Sequence, residues 1–332
     1  MEEKENQVLS DIAMSSRKQE FEFKKNRKPK LTTNQMIEKL REKGIIFEAS
    51  SENEAFQILS ELNYYYKLSV YRRNFKRNSQ NKYTNLDFKH LSDCASMDMQ
   101  LRYWFIQATL DIEHALKSHL LHDLSENADE DGYDIVLRFF QSINSSERII
   151  DENAILSRFN NKKSYQNKLY LANNGVVPTW VFSEVAMFKD FLNFFEFYYK
   201  NYPSKDFNVH SIKGILDGVK RIRNMSAHNN TFLFDIAYGE IFHPSNLMKK
   251  YCNDLGISEI FYKTLKTHDS LSVMLLHQMF VKGEGSRKYR ISDLDLLINR
   301  CSEKLNRFPE HTDLHYYFQT LNKTIDKKLL KR

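Results

Sequence analysis

Apolar residues recur along most of this chain at steps of three and four, the period of one helix face. The clearest run is Leu101, Trp104, Phe105, Ala108, Ile112, Ala115, Leu116 and His119, which predicts a long helix from about residue 96 to 124. Val181, Val185, Phe188, Leu192, Phe195 and Tyr199 repeat in the same way, with Pro178 suited to the first turn and Pro203 closing the helix. Ile212, Ile215, Leu216, Val219 and Ile222 form a third stripe, on a helix starting near His210. Towards the N-terminus, order is expected to begin near Pro29. Thr32 or Thr33 can cap a helix carrying Met36, Ile37 and Leu40, and Gly44 stops it. Ser51 and Glu54 read as a capping box, opening a second helix whose buried face is Phe56, Ile58, Leu59 and Leu62. Residues 135–175 predict shorter helices broken by Asn and Ser clusters. Beyond residue 245 the helical patterns are 246–255, 260–281 and 292–308, and then a basic tail, with Gly283-Glu284-Gly285-Ser286 as an exposed turn.

These patterns predict an all-α protein in four parts. A basic polar arm (1–28) precedes a small helical subdomain (29–85), whose end at 76–85 reads as a polar linker. A helical bundle (86–245) and a C-terminal helical region (246–332) complete the chain. Composition agrees: 9 Gly and 5 Pro are few for a chain of 332 residues, and sheet-rich or doubly wound folds use both heavily in turns. Hydrophobic residues at 41% suffice for a sizeable core. The polar, acidic start (Met1-Glu2-Glu3-Lys4-Glu5) is not a signal peptide. The most apolar stretch, 176–202, is interrupted by Glu184, Lys189, Asp190 and Glu196, which argues against a membrane span. The cysteines, Cys94, Cys252 and Cys301, are far apart and form no Cys-x-x-Cys pair, so neither a zinc knuckle nor a redox motif is expected. Isolated thiols of this kind suit a reducing cytoplasm.

A formal net charge of +6 is compatible with spare surface lysines or with an anionic partner such as nucleic acid. Two segments are candidates for such contact. Lys24, Lys25, Arg27 and Lys28 make the end of the arm basic. Lys67, Tyr71, Arg72 and Arg73 interleave bases with an aromatic in the run from Tyr64 to Phe75, a pattern that can stack on and grip RNA. A solvated charge run and a tyrosine-rich element packed on the bundle are the plainer alternatives.

The phrase Arg223-Asn224-Met225-Ser226-Ala227-His228 ends the third stripe. At 100° per residue Arg223 falls inside the apolar stripe, and His228 lies roughly 140° away. A buried guanidinium needs acceptors, since an unpaired buried charge costs several kcal/mol. Three arrangements answer that need: an ion pair inside the bundle, a stripe that faces a cleft or a second subunit, or a helix that ends near Asn224 and frees His228. RNA carries its own nucleophile, the 2′-hydroxyl. A histidine can take that proton or protonate the leaving oxygen, an arginine fork can hold the phosphate, and Asn224 can orient either. This chemistry requires no metal, and no cofactor is expected.

The segment Arg223-Asn224-x-x-Ala227-His228 at a helix end resembles the signature of HEPN ribonucleases: Arg, a polar residue, then His. Further segments resemble the abortive-infection AbiD/AbiF family of that superfamily. They are Lys28-Pro29-Lys30-Leu31-Thr32, Leu62-Asn63-Tyr64-Tyr65 with Leu68-Ser69-x-Tyr71, Asp98-x-x-Leu101-Arg102, Ile112-Glu113-x-x-x-Lys117, and Val177-Pro178-x-Trp180-Val181 with Glu184-Val185. Together they span roughly 28–235. The resemblance implies a HEPN-like bundle and a homodimer whose site is completed by pairing. It also implies metal-independent RNA cleavage leaving a cyclic phosphate, a role in phage defence, toxicity when unleashed, and association with a small non-coding RNA. Arg223, Asn224 and His228 are the implied catalytic residues, with Glu113 and Lys117 in support and Glu113 as candidate acceptor for Arg223. Neither a membrane nor DNA is an expected partner. The family often carries a basic residue two or three positions after the histidine, where this chain has Asn230 and Thr231. That departure keeps open a HEPN-fold RNA-binding protein with little catalysis, alongside a plain helical scaffold in which Arg223 is structural.

Overall fold

The computed structural model describes residues 29–62, 64–144, 161–173, 175–241 and 243–325, with Met14 and Arg17 before them. The fold is all-α: the described residues form helices and a single pair of two-residue strands. The chain divides into two compact units, Met1–Ser69 with Lys76–Ser92, and Val70–Phe75 with Asp93–Arg332.

In the first unit, Thr32 opens α1 (Thr33–Glu42) with a reciprocal capping box. The Gln35 amide donates to Thr32 Oγ1 at 3.3 Å, and the Thr32 amide donates to Gln35 Oε1 at 2.8 Å. Gly44 ends the segment at φ +88°, where a Cβ would meet the Tyr83 carbonyl oxygen at 2.4 Å, so only glycine fits. β1 (Ile45–Ile46) pairs in parallel with β2 (Leu86–Asp87). The expected Ser51–Glu54 box opens α2 (Glu52–Gln57). The buried face of that helix is not the expected one. Ala55 and Leu59 point inward, whereas Phe56 and Leu62 are exposed. Phe56 lies beside the buried Ala55 on the outer side of the regular helix, and a π turn over Ile58–Leu62, with its wider turn, carries Leu62 off the face that Ala55 and Leu59 set. α3 (Tyr65–Val70) then leads into a 3₁₀ turn, Tyr71–Asn74, which belongs to the second unit.

The long helix α4 (Phe88–Ser125) begins at Phe88 rather than near residue 96. Asp87 explains the earlier start, because its Oδ1 takes the Lys89 amide at 2.7 Å and acts as a cap. The second unit continues with α5 (Asp134–Asn144), α6 (Tyr165–Ala172), α7 (Thr179–Val185), α8 (Phe188–Asn201), α9 (Val209–Ala227), α10 (Asn246–Asp254), α11 (Glu259–Tyr262), α12 (Leu265–Phe280), α13 (Glu284–Leu305) and α14 (Asp313–Lys323). Several of these helices differ from expectation. The single stripe over 178–203 is two helices, broken at Ala186 and Met187, which are both extended. Hydrophobic spacing runs on across that break because Val185 and Phe188 remain three apart. The pattern over 260–281 likewise splits into α11 and α12. Gly283–Ser286 is exposed but is not a turn: Gly283 caps α13, whose first residues include Gly285. Glycine is tolerated there because a first helical turn asks little of the side chain. Finally, α14 lies where only a basic tail was expected.

The core of this unit is aromatic. Phe139, Phe182, Phe191, Phe194, Phe195, Tyr198 and Tyr199 are all buried. Each such ring contributes about 2–3 kcal/mol relative to exposure. α9 packs most extensively on α12 and also on α8. Gly218 permits the close approach, since a Cβ there would lie 2.8 Å from Ser272 Oγ. Arg221 locks the pair with a fork on Asp269, at 2.8 and 2.6 Å.

Candidate functional site

The apolar stripe of α9 is buried as predicted, through Ile212, Ile215, Leu216, Val219 and Ile222. Asn208 caps its start, accepting from the His210 amide at 2.9 Å. The helix does not end near Asn224. It continues to Ala227, and His228 is the C-cap, with its amide donating to the Asn224 carbonyl at 3.0 Å. An unbroken helix preserves the separation of roughly 140° between Arg223 and His228.

The two residues after His228 fix the helix end. Asn229 adopts φ +55°, its amide donates to the Ser226 carbonyl at 3.1 Å, and the Asn230 amide donates to the Met225 carbonyl at 3.0 Å. These two bonds define a Schellman closure, with asparagine in the left-handed position that glycine usually fills. The loop beyond is held by Asp98 of α4. Asp98 Oδ1 accepts from the amides of Phe232 at 2.8 Å and Leu233 at 2.7 Å. Its Oδ2 accepts from Tyr71 Oη and Arg102 Nε, both at 2.9 Å. Arg102 Nη1 in turn donates to Asn229 Oδ1. Lys266 Nζ donates to the carbonyls of Phe232, at 2.9 Å, and Phe234. Burial, the main influence, brings that ammonium down to about 8.

Arg223 is half-buried and His228 exposed. No ion pair forms between Arg223 and any carboxylate among the described residues. Its hydrogen bond runs to Asn224 Oδ1 at 3.4 Å, and its covered Nε has no partner. Ser226 Oγ, one turn on, is also covered and unpartnered. The end of α9 therefore presents a guanidinium with its charge unneutralised, two polar atoms with unmet hydrogen bonds, an exposed amide side chain and an imidazole. Such a set can hold an anion and move a proton.

The remaining candidates fall into different places. Glu113 and Lys117 pair with each other at 3.0 Å on α4, so Glu113 is not the partner of Arg223. Glu113 Oε2 stays covered and unpartnered. Tyr71 is fully buried with its hydroxyl on Asp98, so its ring cannot stack on a base. Lys67 is buried too, and Arg73 is paired with Asp235, while Arg72 is half-buried. Lys24, Lys25, Arg27 and Lys28 lie outside the described residues. The Asp98–Arg102–Asn229 connection was not anticipated, although Asp98 and Arg102 stood in the sequence as a charged i,i+4 pair on a helix.

Among the described residues, no group of three or more His, Cys, Asp or Glu is placed to hold a metal ion. No described helix is long and apolar enough to cross a membrane. All three cysteines are buried, and burial pushes the Cys252 and Cys301 thiols up to about 12.

No curated protein and no solved structure matches the chain. Over residues 57–233, more than half of its length and including the whole of α9 and its cap, the chain matches the family described as Abi-like protein, and it belongs to that family.

Proposed function

We propose that this protein is a metal-independent endoribonuclease of the HEPN type, acting in abortive infection as a homodimer. The observation that carries the reading is the state of Arg223 and His228. An arginine without a carboxylate and an exposed histidine stand at one fixed helix end. A structural arginine would be neutralised by the fold, as Arg221 is by Asp269 and Arg102 by Asp98.

In the reaction, the imidazole of one His228 takes the proton from a ribose 2′-hydroxyl. The 2′-oxygen forms a bond to phosphorus, and the bond from phosphorus to the 5′-oxygen breaks. A second imidazole, from the other copy, gives that oxygen its proton. The products are a 2′,3′-cyclic phosphate and a 5′-hydroxyl. Arg223 bears on the non-bridging oxygens, where negative charge builds. The wide angle between Arg223 and His228 on one straight helix is the reason for invoking a second copy.

α4 supports the pairing. Met99, Tyr103, Ile106, Leu110, Glu113 and Lys117 succeed one another at steps of four and three, the seam of a helix that packs on another. Met99, Tyr103 and Leu110 are 40%, 58% and 50% exposed, an apolar stripe rather than scattered single residues.

The test is incubation of purified protein with RNA and analysis of the resulting ends. Cyclic phosphate termini are expected from the wild type, and Arg223→Ala and His228→Ala should each abolish cleavage while dimers persist. Full activity in both variants refutes the reading. The absence of a basic residue at Asn230 and Thr231 favours a second reading, an RNA-binding HEPN-fold protein that forms a ribonucleoprotein with a small non-coding RNA. Stable, salt-sensitive complexes without cleavage are its signature. In the nuclease reading the same small RNA restrains activity.

A further inference from the structure

We propose that the buried Asp98–Arg102 pair, joined to the helix end through the exposed Asn229, is a positioning device for His228, acting through the helix cap and never touching RNA. The proposal rests on the nuclease reading for its effect on rate, and on geometry for its effect on His228.

Asp98 is fully buried, and the Arg102 side chain is 3% exposed, so neither can reach a substrate. A carboxylate and a guanidinium so placed are costly to desolvate, and replacing such a pair with apolar residues is often neutral or stabilising. Stability alone is therefore a weak reason for it. Its bonds point to a more specific one. Apart from Arg102, every donor on Asp98 ties α4 to a segment flanking the site: Tyr71 on one side, and Phe232 and Leu233 just beyond the cap on the other. Arg102 then reaches the residue immediately after His228. The C-cap is held from within by the Schellman bonds and from outside by Arg102.

Asparagine at position 229 carries the inference further. The left-handed conformation at that position suits glycine best. Glycine, however, offers no acceptor to Arg102. Asparagine accepts the backbone strain and supplies the acceptor.

The experiment compares Asn229→Gly with Asn229→Asp. Glycine keeps the backbone closure and removes the acceptor together with the rest of the Asn229 side chain, and aspartate keeps an acceptor. Both should fold, as judged by tryptophan fluorescence. With RNA as substrate, kcat of Asn229→Gly should fall about 10- to 100-fold, the scale expected for a catalytic group displaced by about 1 Å. KM should be unchanged, and Asn229→Asp should recover kcat. A second readout is independent of catalysis: the Cε1–Hε1 NMR signal of His228, assigned with His228→Gln, and hydrogen exchange of the Asn229 and Asn230 amides. In Asn229→Gly the signal should broaden or shift and exchange should accelerate, while Asn229→Asp resembles the wild type. Should the wild type not cleave RNA at all, the nuclease reading fails alone, and the NMR signal and amide exchange still decide the positioning role. An unchanged His228 signal with unchanged exchange in Asn229→Gly overturns the proposal, as does a rise in KM with kcat intact, which would mark Asn229 as a direct RNA contact.

Discussion

Asp98→Asn alters the volume of one side chain hardly at all, yet it should destabilise the second unit by about 3–5 kcal/mol. The carboxylate takes four donors, two on each oxygen, at 2.7 to 2.9 Å. A carboxamide can present its oxygen to only one pair, so its NH₂ must face the other two donors. Whichever way it turns, buried donors go unmet and Arg102 loses its counter-charge. Tyr71 relieves only part of the conflict: its hydroxyl can turn to accept from the NH₂, but the Arg102 Nε–H and the two backbone amides can only donate. Both tryptophans, Trp104 and Trp180, lie in the second unit, so fluorescence follows that unit through a urea titration. With a urea slope of about 2–3 kcal/mol per molar, the midpoint should fall by about 1–2 M. Tyr71→Phe removes one uncharged donor and should cost about 1 kcal/mol. Adding Arg102→Met to Asp98→Asn removes the stranded charge and should recover about 1–3 kcal/mol relative to additivity. An Asp98→Asn midpoint that matches the wild type, or strict additivity in the double variant, refutes the view of Asp98 as the anchor of the loop.

Three further outcomes are expected. Gly218→Ala should destabilise by about 1–3 kcal/mol, because its Cβ would sit 2.8 Å from Ser272 Oγ, and Ser272→Ala, which removes that oxygen, should recover part of the loss; stabilisation by the single change, as helix propensity alone would give, contradicts the close α9–α12 approach. The folded-state Lys266 value, about 8 against 10.5, means that the folded state binds fewer protons than the unfolded one between those values, so stability should rise with pH across that window. The rise should reach about 2 kcal/mol by about pH 10 relative to Lys266→Met, read from paired urea midpoints. Tyr103→Glu with Leu110→Glu should yield a folded monomer by light scattering and lose RNA cleavage, and a variant that stays dimeric removes the α4 stripe from the interface.

The all-α class, both capping boxes and the buried face of α9 were legible because they are local: each depends on residues within a turn or two. So was the family, through several short segments in order. Breaks and starts were harder. Ala186 and Met187 interrupt a helix without interrupting its hydrophobic spacing, and Gly283-Glu284-Gly285 signals a turn by composition while opening α13. The stripe placed Arg223 among apolar residues, yet it is half-exposed at the last turns of its helix, where neighbouring elements cover less. Tyr71 belonged to a run that suggested base stacking, and what removed it from that role is a bond to Asp98, 27 positions away. The partners of Asp98 beyond the cap are 134 and 135 positions distant, a separation at which no periodicity carries information.

That distance also bears on why a short exposed motif should be tied to so deep an anchor. Helix ends fray, and the last turn is ordinarily the least protected part of a helix. Here the last turn bears Asn224 and the C-cap bears His228, the groups that in the proposed nuclease hold a phosphate and a proton in register. Local bonds alone would leave that turn free to open, because a Schellman closure competes with water at every step. A carboxylate sealed inside α4 does not face that competition. Its four donors depend together on one acceptor group, and losing that group costs several kcal/mol. Through Arg102 and Asn229 that cooperativity reaches the helix end, so the position of His228 is set by the core of the unit rather than by the solvent-exposed turn on which it stands.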